Sequence, residues 1–232
     1  MVRLAVGSAA LASLLVVPLT SPVPAAAAVR PGLNTAGNPT ANVSAASVVK
    51  ACWSAPTSSS CQIAAVRAIN AGRAREHLRS LVLPARWSSY SATSRLLYLF
   101  NSERAARGET TLRTSQPTLN VYATRAAAAE ADPAIVPSVR IAGRAWTGWA
   151  SNWALAENPI VAVFMWVYDD GLNSPNMDCT TSHQAGCWGH RHDVLAWGTS
   201  RTLTIGLGVA RVAQKSWQGH LTSYTTLLVS TP

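Results

Sequence analysis

Residues 202–212 read TLTIGLGVARV and residues 223–230 read SYTTLLVS. Both are rich in β-branched side chains alternating with small or polar ones, and a polar stretch divides them, which predicts an antiparallel strand pair. Upstream the period changes. IVAVFMWVYDD, at 160–170, follows Asn158-Pro159 and is apolar nearly all round, as a buried helix is. PTLNVYATRAAAAEA, at 117–131, puts Pro117 in a first turn and Leu119, Tyr122 and Ala126 on one side. In SATSRLLYLFNSERAARG, at 91–108, Thr93 or Ser94 is the expected cap, Leu96, Leu97 and Phe100 the core face, and Gly108 the stop. QIAAVRAINAGRAREHL, at 62–78, spaces Ile63, Val66 and Ile69 as a helix does, with Gly72 weakening its middle, before an extended link at Pro84. Helices flanking a small antiparallel sheet predict an α+β fold. There is no internal repeat.

The N-terminus speaks for export. Arg3 precedes an apolar run from Leu4 to Leu19, and a small-residue tract ends at Ala26-Ala27-Ala28. The run is shorter than the roughly 20 residues of a membrane span, so residues 1–28 are expected to be a signal peptide cleaved near Val29. Residues 29–47 are expected to form a flexible lead, 48–90 a helical extension with a disulfide loop, and 91–232 the main domain. No later apolar run is long enough to suggest a second span. The protein is expected to be secreted and extracellular.

Four cysteines form two local pairs, Cys52 with Cys61 and Cys179 with Cys187. In an exported chain an even count favours disulfides. Each would staple a loop of about ten residues, for about 2–4 kcal/mol, and the spacing is too wide for a four-cysteine zinc site. The formal charge is +9, or +8 once Arg3 leaves with the leader. That surplus points to anionic cell-wall polymers or acidic lipids. Arg67, Arg73, Arg75 and Arg79 form the densest basic set, but no basic stripe is interleaved with aromatics, so no nucleic-acid partner is expected.

Candidate chemistry gathers in GCWGHRHDVLAWGT, at 186–199. His190 and His192 would share a face on a strand and diverge on a helix. H-x-H alone falls short of the three or four ligands of a metal site, and His183, Asp169, Asp170 and Asp178 are the available additions. DDGLNSPNMD, from Asp169, lacks the calcium-loop spacing. No G-x-S-x-G elbow occurs. Asp169 and Asp170 are neighbours that do not flank a bond as glycosidase carboxylates do, and Glu130 and Glu157 are lone acids.

The order LLYLFNSERAARG, WASNWA, AVFMWVYDDG, GCWGHRHDVL, IGLGVARV resembles the SCP-like extracellular domain of the CAP superfamily (cysteine-rich secretory, antigen 5 and pathogenesis-related proteins), in its secreted bacterial form, over about residues 91–230. The resemblance implies a three-layer α-β-α sandwich with a small central antiparallel sheet. It also implies a cleft lined by two histidines and two glutamates able to bind a divalent metal. His190 falls on the second histidine, Asp169 on the glutamate of the W-x-x-E helix, and Ser151 on the other glutamate, in the G-E-N loop. The first histidine has no counterpart, since 123–147 contains none.

The implied site is therefore reduced. No cofactor is expected, and His190 with Asp169 would hold a divalent metal only weakly. The expected cleft is His190, Asp169, Ser151, Asn152, Trp153 and Trp188, with the WGHRHDVL block as a strand entry at its side. Trp188 and Trp197 are expected to pack, and Trp146, Trp149 and Trp153 to pack or to stack on a ligand. The leading expectation is a secreted SCP-like domain that binds a cell-wall polymer, lipid or peptide in that cleft. One alternative is a peptidase or esterase with His190 as general base and Asp169 as its orienting acid; the other is a structural or interaction module.

Overall fold

The computed structural model describes residues 37–169, 179–184, 186–198, 202–211 and 221–232. The expected leader at 1–28 and its expected cleavage site, with Asp170 and Asp178, lie outside the described residues. Among the described residues six α-helices run in chain order: α1 Ala46–Cys52, α2 Ser59–Arg75, α3 Ala92–Ala106, α4 Pro117–Ala128, α5 Pro159–Val167 and α6 Gly189–Val194. The main sheet has the order β3-β5-β4, with β3 Gly148–Ala156, β4 Thr202–Arg211 and β5 Thr222–Thr231, all antiparallel. A two-stranded ribbon, β1 Arg140–Ile141 and β2 Arg144–Ala145, precedes it. Ala142 and Gly143 turn that ribbon with φ of 50° and 79°, the left-handed pair such tight hairpins use. The α+β class and the β4–β5 pairing follow the sequence reading.

Local signals set the helix ends. Ser91, rather than Thr93 or Ser94, caps α3: its hydroxyl accepts from the Ser94 N–H. Asn158 caps α5, its side-chain oxygen accepting from the N–H groups of Ile160 and Val161, and Pro159 fills the first turn where no N–H is needed. Gly108, at φ 73°, turns the chain away after α3.

The sheet is covered on both faces. Successive side chains of a strand point opposite ways, so the register Trp149↔Val229 and Ser151↔Leu227 puts odd residues of β3 and β5 on one face. There Leu227 and Val229 pack on Leu119 of α4, with Ile135, Val139 and Ile141. On the other face Ala150, Ala154 and Leu228 join the larger core built by α2, α3 and α5. Gly206 and Gly208 explain the GLG of β4. A Cβ at either would run into the α4 backbone, at Leu119 and Ala123 respectively. Their missing side chains let the helix lie directly on the sheet.

Buried charge fastens α2 and the residue after it to α3 and α6. Glu103 of α3 accepts from Arg73 of α2 at 2.9 Å and from Arg107 at 2.8 Å, with its own side chain 1% exposed. The Tyr168 hydroxyl donates to the same carboxylate. Glu76, just past α2, takes Arg107 at 2.8 Å and Arg191 of α6 at 2.6 Å. Burial works to raise the Glu76 carboxyl, but the two arginines outweigh it and hold it below the usual range. Gly72, expected as a weak point of α2, is a contact surface: the Tyr168 ring occupies the space of its missing Cβ. Within the expected lead, Val43 is buried and its N–H donates to Tyr168 O, while Gly37 O accepts from Arg191.

Both bridges form as the spacing predicts, Cys52–Cys61 and Cys179–Cys187. Among the described residues no helix is long and apolar enough to cross a membrane.

Candidate functional site

The GHRHDV stretch is the short helix α6, not a strand entry, so its two histidines diverge. His192 turns toward the chain N-terminal to α1 and donates from Nε2 to Asn38 Oδ1 at 2.9 Å. His190 takes the other side, half-buried. Arg191 between them is driven inward, bonding Glu76, Val167 O and Gly37 O, and this fixes the rotation of α6. Tryptophans in the left-handed region flank the helix: Trp188 at φ 64° and Trp197 at φ 62°. Bulky residues rarely sit there without surrounding packing to impose it. Trp188 is wholly buried and donates from Nε1 to Thr181 O, and Trp197 lies against Gly148. Trp188 is thus a support beneath α6 and no part of a cleft wall.

The acid whose charge couples to His190 is one the sequence reading passed over. Asp132 lies in the segment after α4, open to solvent on its outer side, and its carboxylate accepts the backbone N–H of Trp153. Partial burial raises the Asp132 carboxyl above its ordinary range, opposed by the nearby charge of His190 and by the Trp153 N–H. Trp153 belongs to β3, an outer strand whose alternate N–H and C=O groups face away from the sheet. Its N–H is used by Asp132, and its carbonyl accepts from Trp166 Nε1 at 3.0 Å. Its half-buried indole is steadied by donation to Ser223 Oγ at 3.0 Å. The charges of His190 and Asp132 are therefore coupled beside the outer edge of β3, where Asp132 takes the Trp153 main chain, while the Trp153 indole shares the face of Ser151.

The other expected cleft residues divide. Ser151 lies in β3 rather than in a loop, buried on the α4 face opposite Leu227. Asn152 points to the opposite face, 1% exposed, and donates to Thr226 Oγ1. Asp169, 3% exposed, accepts from Asn42 at 2.8 Å. It lines a separate hollow of about 700 Å³ with residues 41–46, Val49, Lys50, Cys179 and Thr180, a hollow His190 does not line. Trp146 and Trp149 pack against the smaller core, Trp146 donating to Val136 O.

Among the described residues no group of three or more His, Cys, Asp or Glu side chains is placed to hold a metal. His190 and Asp132 offer two donors, where a closed site wants about four. What the arrangement can do is accept and donate hydrogen bonds beside an aromatic face.

His190→Ala is expected to raise the Asp132 pKa further, because it removes a charge that opposes the burial effect. A carbon-13 titration of the side-chain carboxyl would show this, and an unchanged or lowered value would refute the coupling. A carboxyl raised on folding disfavours its own ionisation. Its stability contribution is therefore lost as pH rises through the window from the unfolded to the folded pKa.

Asp132 did leave a trace in the sequence. Asp132-Pro133 ends the alanine-rich helix pattern inside the stretch where the resemblance asks for a first histidine. An acid in a loop gives no periodic signal, and only the fold brings its charge within reach of His190. No protein-family model matches the chain, and no curated protein does.

Proposed function

We propose that this chain is a secreted SCP-like domain of the CAP superfamily, with an altered cleft that binds a ligand rather than a metal. The coupling of His190 to Asp132 beside the outer strand β3, with the half-buried Trp153 next to Asp132, carries this reading. An indole face suits the apolar side of a sugar ring or a peptide side chain. The imidazole and the carboxylate supply a donor and an acceptor, which fix orientation. Two adjacent groups with one positive and one negative form favour an uncharged polar ligand over a free anion or cation. The two bridges, the leader-like N-terminus and the basic surplus support secretion and work at the cell envelope.

Native mass spectrometry of protein purified from its own host, with and without chelator, tests the reading. The expected result is a retained small molecule indifferent to chelator and lost from Trp153→Ala and His190→Ala. A chelator-sensitive metal adduct, or no ligand from any preparation, would overturn it. The proximity of Asp132 to His190 also favours a hydrolase in which His190 acts as general base, with Asp132 in the orienting role first assigned to Asp169. A positioned histidine contributes about 10²–10⁴-fold. A turnover of that size abolished by His190→Ala would make this the better account.

A further inference from the structure

The extension has a face that the cleft does not use. Residues 48–90 hold six basic side chains, Lys50, Arg67, Arg73, Arg75, Arg79 and Arg86, and one acid, Glu76. The acid is spent inside the molecule, ion-paired to Arg107 and Arg191. Glu103 of the neighbouring helix is buried against Arg73 and Arg107. Residues 48–90 therefore contain no acid that is left to offset their outer cations.

The chain after α2 folds back along it as a strap, held at three points. Arg73 donates to Arg79 O, the Asn70 side chain bonds both the N–H and the carbonyl of Leu81, and Trp87 Nε1 donates to Gln62 Oε1. Strap and helix enclose a shallow groove of about 400 Å³ lined by Gln62, Ile63, Val66, Arg67 and Leu83. Apolar side chains stand out on the helix that lines it and on the segments either side in sequence. Val82 is 73% exposed and Ile63 50%, and Trp53, beside the bridge that ends at α2, is 60% exposed. Four of the six exposed large apolar side chains among the described residues belong to this short extension, so they form a local feature rather than ordinary scatter. Arg67 lines the groove with Ile63, and Arg79 and Arg86 lie on the strap either side of Val82; all three are exposed, and none makes a side-chain hydrogen bond or ion pair among the described residues.

We infer that this face docks on a lipid bilayer carrying anionic headgroups, with Ile63 and Val82 entering the interface and Arg67, Arg79 and Arg86 lying on the headgroups. Uncompensated arginines around protruding aliphatic groups match such a surface in charge and in hydropathy. A dissolved polyanion would draw the arginines alike but has no use for the aliphatic groups. The inference does not depend on the cleft reading, since no cleft residue takes part.

Sedimentation with phosphatidylcholine vesicles, with and without phosphatidylglycerol, tests it, using the chain from Val29 so that the apolar run at 4–19 contributes nothing. The chain should bind the phosphatidylglycerol vesicles, release with rising salt, and ignore pure phosphatidylcholine. Each of Arg67→Ser, Arg79→Ser and Arg86→Ser should weaken partitioning by about five-fold. Ile63→Ser with Val82→Ser should weaken it by about ten-fold while leaving retention on soluble polyphosphate unchanged. All four variants alter exposed side chains, and an unchanged unfolding midpoint shows that they fold. Vesicle binding indifferent to the double aliphatic change would overturn the inference in favour of a polyanion surface. Failure to bind phosphatidylglycerol vesicles would overturn it outright.

Discussion

Glu103→Gln lowers the free energy of unfolding by about 3–5 kcal/mol, the cost of breaking a buried ion pair from one side. The change keeps side-chain volume and removes only charge. Arg73 and Arg107, at 5% and 11% side-chain exposure, would then share an enclosed space with no anion between them. Arg107 would still reach Glu76, but Arg73 would keep only the carbonyls of Arg79 and Ser102. Because Arg73 sits on α2 and Glu103 on α3, the loss should loosen the extension as a unit, seen as faster amide exchange along α2. Arg73→Gln alone should also destabilise. The double variant should lose less than the sum of the two, by about 1–3 kcal/mol, as partners in one network do. Urea unfolding of the four proteins measures this, and strict additivity would mean that the pair is not a unit.

The same network marks where sequence reasoning stops. α3, α4, α5 and the β4–β5 pair each carry a local signal: a cap, a proline in the first turn, a period of 3.6 or of 2. Glu103 and Arg73 carry none, because they are thirty positions apart and each reads as the polar side of its own helix. Nor does WTGWASNWA declare itself a strand. β3 has core on one face and the smaller α4-side cluster on the other, so its small and aromatic residues do not alternate in polarity. The candidate site divides in the same way. His190 stood out in GHRHDVL, whereas Asp132 did not, since nothing local tells a loop acid that its charge will come near His190. Which way the histidines point was equally out of reach, because it depends on Arg191 finding Glu76 from more than a hundred positions away.

Gly208→Ala sets two principles against each other with opposite signs. A glycine inside a strand costs chain entropy and offers no packing, so propensity alone expects alanine to stabilise by a few tenths of a kcal/mol. Packing expects the reverse. The added Cβ would fall well inside van der Waals contact of the Ala123 carbonyl and of Thr225 Oγ1. That carbonyl already accepts the Thr225 hydroxyl at 2.7 Å, a buried bond that ties α4 to β5. A flexible side chain could move aside, but here a helix backbone must shift, so the loss should reach about 3 kcal/mol, the upper end for overpacking. Gly208→Val should cost more still and leave little folded protein. Ala123→Gly in the same chain should not rescue either variant, because the obstruction is main chain and trimming a methyl leaves it in place. Chemical denaturation decides the matter. A stabilised Gly208→Ala, or a rescue by Ala123→Gly, would show that α4 does not rest on this strand as closely as the fold requires.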